Sequence, residues 1–291
     1  MPKNKVKMYK TIEITLLFLL GCVVAVLFWS CVPSHKTKSI VTVSVLPQKW
    51  LVEKLIGSAS VRVQVMVPAG SSPESYDPTP QDLMALSKSD VYFSIGDLGF
   101  EKAWLPRFRD QNTTLPMVEM GEGIERLTDV DGEETDPHLW TTPENMKQMA
   151  RLTAATLVKL FPESKDSIAT RLELLTEELD SMHRNFSKLS VMASSRTFVI
   201  YHPALSYLAR DYNLTQLAIE HDHKEPSVSQ LQALVEKTQQ SDAKVLLMQQ
   251  ELDVRLVESF AQETGLRVVR INVLSPDWAT EMRRVMLELT R

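Results

Sequence analysis

Apolar runs that alternate with helical patterns predict an α/β protein: two lobes, each on a mostly parallel sheet, joined by a long spine helix. Three observations carry that prediction. Short β-branched runs recur between helical patterns in the first half of the body. The alternation then stops for a purely helical stretch, whose second part carries one apolar stripe at the 3.6-residue period. Beyond it the alternation resumes to the C-terminus.

Taken in order, VTVSVL (41–46) reads as a buried strand, followed by the short helix QKWLVEKLIG that Gly57 closes. VRVQVMV (61–67) is the next strand. Thr79 caps a helix, with Pro80 in its first turn and Asp82 near its positive end. VYFSIG (91–96) is a strand, 100–108 a helix and LPMVEM (115–120) a short strand. Residues 145–161 form one helix and 163–189 a longer one, roughly 40 Å at 1.5 Å per residue. Its stripe is Ile168, Leu172, Leu175, Leu179, Met182 and Phe186. In the second lobe, strands fall at 197–201, 214–219, 243–248 and 266–273, and helices at 204–212, 227–240, 253–264 and 277–289. The predicted divisions are an N-terminal signal or anchor (1–31), a tether (32–40), a first lobe (41–141), a helical segment (142–192) and a second lobe (193–291). Each lobe is expected to carry its own core.

The N-terminus has the pattern of an export signal. Lys3, Lys5, Lys7 and Lys10 precede a nearly uninterrupted apolar run over 14–29, shorter than the ~20 residues of a comfortable membrane span. It looks like a lipoprotein signal, in which a cysteine at the end of the run is acylated. Cys31, in FWSC, is the favoured acceptor, and Cys22, in LLGC, is the alternative. An uncleaved anchor helix is a third reading. Each places the body outside the cytoplasm, beside a membrane.

Composition removes several classes of function. The formal charge is −5 overall and +3 over the first 30 residues, so −8 over the rest. An acidic body argues against a nucleic-acid partner, whose phosphates need a basic face. Both cysteines lie in the N-terminal segment, so the body has no disulfide, thiolate metal site or cysteine nucleophile. No GxGxxG or GxxxxGK[ST] occurs, so no phosphate-cradling loop is indicated.

Among the six histidines, His35 lies in the tether and His183 reads as a solvated position on the spine. His138 sits in the loop TDPHLW. His202 sits in VIYHPAL, directly after a buried strand, where α/β lobes place functional groups. Glu74 lies in the loop PAGSSPESYDPTP after the second strand. Two imidazoles and a carboxylate form a donor set suited to Zn²⁺.

Four stretches, in order, carry a family resemblance: MVPAGSSPESYDPTPQDL, DPHLWTTPEN, YHPALSYLARDYNL and IEHDHKEPSVSQL. Together they resemble the solute-binding proteins of zinc and manganese ABC importers (cluster A-I), over essentially the whole body. The resemblance implies two Rossmann-like lobes with the metal between them, an ABC-type permease as partner, and a monomeric protein. It implies His138 and His202 as ligands. It places Glu74 where the family usually has histidine, and Asn272 where it usually has an aspartate. Asn272 is a neutral, poorer donor, so Asn272, a water, or His221 and His223 are candidates for the remaining position. The family's histidine-rich insertion is replaced here by the short acidic DVDGEETDPH. The expected cargo is Zn²⁺, ahead of Mn²⁺ or Fe²⁺, since a mixed N/O site favours zinc at equal concentration. A metal-dependent adhesin and a zinc hydrolase are the competing functions. Against the hydrolase, no HExxH is present.

Overall fold

The computed structural model describes residues 38–57, 61–128, 135–220, 226–249 and 254–291. Cys22, Cys31, His35, His221 and His223 lie outside the described residues. Ser39–Arg291 cluster as one compact unit; of the other unit, Met1–Lys38, only Lys38 is described. Among the described residues, no helix is long and apolar enough to cross a membrane.

The first lobe runs β1 (Ser39–Val43), α1 (Leu46–Ile56), β2 (Val61–Val65), α2 (Pro80–Leu86), β3 (Val91–Ser94), α3 (Gly99–Gln111) and β4 (Met117–Glu119). Its four strands pair in parallel in the order β2-β1-β3-β4, with Val41 opposite Val63 on one side and Val91 on the other. Every residue of β3 is buried, as expected of a parallel strand covered on both faces. β1 ends earlier than its apolar run suggests. Gln48, fully buried, reaches back to accept from the Ser44 and Val45 N–H groups at 2.9 and 3.0 Å, and this turns the chain into α1. Pro47 sits in that first turn, where no N–H is needed. Thr79 caps α2, its hydroxyl accepting from Asp82 N–H at 3.2 Å.

Between the sheets lie a 3-10 turn (Leu139–Thr141), α4 (Pro143–Leu160) and the long α5 (Lys165–Met192). Of the predicted stripe, Ile168, Leu175, Leu179, Met182 and Phe186 are buried. Leu172 is half-buried at its edge.

The second lobe comprises β5 (Thr197–Ile200), α6 (Ser206–Asp211), β6 (Thr215–Ala218), α7 (Val228–Gln239), β7 (Val245–Gln249), α8 (Val254–Thr264), β8 (Arg267–Ile271) and α9 (Trp278–Thr290). Its parallel order, β6-β5-β7-β8, repeats that of the first sheet. In both sheets the first strand lies inside, with the chain running to one side of it and then to the other. That reversal opens a crevice at the carboxyl ends of β1/β3 and β5/β7, where such folds bind ligands. The two-lobed α/β architecture is therefore as the sequence predicts.

The separate cores expected for the lobes are not what forms. One apolar core extends from β1 and α1 through α4 and α5 to β5, β7 and α9. A second cluster, including Val199, Leu217, Leu246 and Phe260, covers the other face of the second sheet. α9 makes the connection. Trp278 is buried against Trp50 of α1, ring centroids 5.0 Å apart. Its indole N–H donates to the Trp140 carbonyl at 2.7 Å, and the Trp140 indole donates to the Val273 carbonyl at 2.8 Å.

Candidate metal centre

Glu74, His138 and His202 converge from three loops. Each offers one ligand atom, and these atoms all lie within 4.8 Å of one another. They line a cavity of about 310 Å³ together with Trp140, Glu220 and Gln249.

His138 is buried, its ring tilted against Trp140. Its Nδ1 lies 2.8 Å from Asp136 Oδ1, which also accepts the His138 backbone N–H at 2.8 Å. Asp136 is held in turn, since Tyr207 Oη–H donates to its carbonyl at 2.8 Å. Burial opposes a charge on His138, but the Asp136 carboxylate, with Glu74 and Glu220 behind it, outweighs burial and raises the imidazole pKa. For Asp136 burial acts upward, and the pairing with His138 brings the net shift down.

His202 follows β5 at the carboxyl end of the sheet. Its Nδ1 lies 3.0 Å from Glu220 Oε2. Gln249, the last residue of β7, clamps its backbone by donating to the His202 carbonyl at 2.8 Å and accepting its N–H at 3.4 Å. Glu74 Oε2 accepts from Gly99 N–H at 3.2 Å. Glu74 Oε1 is buried with no hydrogen-bond partner and lies 3.9 Å from His138 Nε2.

An ionised carboxylate only accepts, so Asp136 and Glu220 each draw the Nδ1–H tautomer. Both Nε2 atoms then present lone pairs to the cavity, and they face each other at 3.3 Å. Two lone pairs and an unsatisfied carboxylate oxygen at that range favour a positive centre among them, a proton in the metal-free protein or a cation when one is bound. A carboxylate bound to the far nitrogen of a ligating imidazole is also the usual support of a zinc-binding histidine. The donor set therefore fits a divalent cation of zinc's preferences.

Of the candidates for the remaining position, only Asn272 is among the described residues. Asn272 Oδ1 accepts from Leu274 N–H at 3.0 Å, and its own N–H donates to Glu281 Oε1 at 2.7 Å. It lines a neighbouring cavity of about 440 Å³ with Val67, Pro68 and Gly70. His183 is not simply solvated: its Nδ1 lies 3.2 Å from Tyr212 Oη and 3.6 Å from Glu144, and its side chain is 37% exposed. Sequence reasoning missed Asp136, Glu220 and Gln249. Asp136 stands two residues before His138 and was within reach of a motif reading. Glu220 and Gln249 reach His202 only across the sheet.

Two doubly wound lobes with a nitrogen–oxygen cluster at their strand ends define the class of bilobal α/β proteins with a metal-capable cleft. The family model for ZnuA, the zinc-uptake complex component A periplasmic, matches residues 41–289. The chain belongs to this family. A crystal structure of ZnuA is 31% identical, with a TM-score of 0.82 over 87% of this chain and 98% of that one. A metal ABC transporter substrate-binding lipoprotein of Lactococcus lactis subsp. lactis is 25% identical over 283 residues, 90% of this chain and 88% of its own. The manganese-binding lipoprotein MntA of Halalkalibacterium halodurans is 23% identical over 222 residues, 75% of this chain and 73% of its own.

Proposed function

We propose that this chain captures a divalent metal ion outside the cytoplasm and delivers it to an ABC-type permease, with Zn²⁺ as the preferred cargo over Mn²⁺ or Fe²⁺. Glu74, His138 and His202 are its protein ligands in this reading. The observation that carries it is the pair of Nε2 atoms facing each other at 3.3 Å beside the unpartnered, buried Glu74 Oε1. Membership in the zinc-uptake family supports the transport role. Two nitrogens with one carboxylate oxygen support zinc over manganese, which suits oxygen-rich sites. The protein acts as a monomer, tethered to the membrane through acylated Cys31, with Cys22 the alternative. It is a binding protein rather than a hydrolase, and metal import accounts for the buried donor set with no further surface function invoked.

Competition titration with a zinc chelator tests the ligands. His202→Ala weakens zinc binding by about tenfold or more, since even losing a supporting partner costs 10–100-fold. His183→Ala leaves zinc affinity unchanged. Equal affinities in the two variants move the site away from His202. For the tether, Cys31→Ser abolishes fatty-acid labelling of the full-length chain; undiminished labelling transfers the role to Cys22.

A further inference from the structure

Gly99 is the first residue of α3, and Leu98 before it provides no side-chain cap. The leading N–H groups of a helix have no partner within it and form its positive end. Here residues from a distant loop take that place. Gly99 N–H donates to Glu74 Oε2 at 3.2 Å, and Phe100 N–H donates to the Pro73 carbonyl at 3.2 Å. A Cβ on residue 99 would stand 2.1 Å from the Glu74 carbonyl oxygen, so the approach requires glycine. The helix start is itself pinned. Glu101, fully buried, accepts the N–H groups of Ile95 and Gly96 at 2.9 and 2.6 Å. Glu74 thus has one oxygen committed to the helix and the other buried, unpartnered and turned to His138.

Resting on the metal-capture reading, we propose that the N-terminus of α3, through Gly99, holds Glu74 as a one-oxygen ligand and thereby sets the site's preference for zinc over manganese. A carboxylate chelates a cation only when both oxygens are available. Glu74 supplies Oε1 alone, because Oε2 is held by a backbone N–H whose position the Glu101 anchor defines. The resulting low donor count suits four-coordinate zinc. Manganese favours octahedral, oxygen-rich surroundings, which a chelating Glu74 would help to complete. Gly99 is therefore a positioning residue that acts through Glu74.

The test compares the wild-type chain with Gly99→Ala, using Co²⁺ as a visible probe of coordination number and competition titrations for Zn²⁺ and Mn²⁺. The wild type gives the intense visible bands of four-coordinate Co²⁺. Gly99→Ala gives a weak spectrum of higher coordination, and its zinc-to-manganese affinity ratio falls by about tenfold, the low end of what losing a supporting partner costs. An unchanged spectrum and ratio in a folded Gly99→Ala protein overturn the proposal. Far-UV circular dichroism and the metal-free melting curve establish that the variant folds. The zinc-loaded crystal structure of the wild type decides the matter without any variant. Glu74 bound through Oε1 alone supports the proposal, and both oxygens at bonding distance overturn it while leaving metal capture intact. A wild-type chain that binds neither Zn²⁺ nor Co²⁺ removes the capture reading, and this proposal with it.

Discussion

At His138 one carboxylate sets the tautomer, the ring direction and the charge together. Asp136 takes both the backbone N–H and Nδ1 of the same residue, so the imidazole cannot turn without breaking two contacts. Asp136→Asn keeps the size but removes the charge and one of two equivalent acceptors. Zinc affinity is expected to fall by about 10–100-fold at neutral pH, measured by chelator competition. The imidazole pKa falls as well, because the Asp136 carboxylate is the chief influence holding it up against burial. Protons then compete less, so the variant's deficit narrows as pH drops from 7.5 to 5. A deficit that widens over that range would show that Asp136 does not act through the His138 proton.

Among the elements, α9 contributes to the core that both lobes share. Its Trp278 joins α1 through a ring contact and the 3-10 turn that follows His138 through its indole N–H, and Trp140 of that turn in turn donates to the loop after β8. Trp278→Ala leaves a large cavity and strands the Trp140 carbonyl, at a cost of about 3–5 kcal/mol. The expected result is a melting temperature lowered by many degrees in chelator. Zinc affinity is also expected to drop, because Trp140 packs on His138. A variant that melts like the wild type would mean that α9 does not join the two lobes. By contrast, the caps of α2 and α7, at Thr79 and Ser227, are local devices. Each Ala replacement there costs about 1 kcal/mol.

For the whole molecule, the continuous core and the metal site make linked statements about stability. Metal-free protein is expected to melt in one transition, since no boundary free of core contacts separates the lobes. A ligand bound only by the folded form adds RT ln(1 + [L]/Kd), about 4 kcal/mol at a thousandfold excess over Kd. The pH dependence follows from His138. Its folded pKa is raised, so the charged ring stabilises the metal-free fold below the unfolded value of about 6.5, and that stabilisation is lost as pH rises through the raised value. Zinc needs the same ring neutral. The zinc-induced rise in melting temperature is therefore large at pH 7.5 and shrinks as pH falls, starting above ~6.5. Paired melting curves with zinc and with chelator, from pH 7.5 to 5, measure it. A constant shift would remove His138 from the ligand set.

Periodicity alone determined the two α/β lobes, the long helix between them and the positions of His138 and His202 in loops. A parallel strand buried on both faces must be a short apolar run, and an amphipathic helix must repeat near 3.6 residues, so both leave their mark in local order. Glu74 was legible as a carboxylate in the loop after the second strand, and motif resemblance added that the family usually has histidine there. Tertiary structure decided what surrounds these groups. His202 and Glu220 are 18 residues apart, Glu74 and Gly99 are 25 apart, and Trp140 and Trp278 are 138 apart. Each pairing depends on how strands register and how closely two backbones approach, which no local pattern records. The same holds for Asn272, whose side-chain oxygen turns to the Leu274 N–H. The donor types are a property of the chain; their orientation, and the core that the two lobes share, come from contacts that exist only once the sheets and α9 have come together.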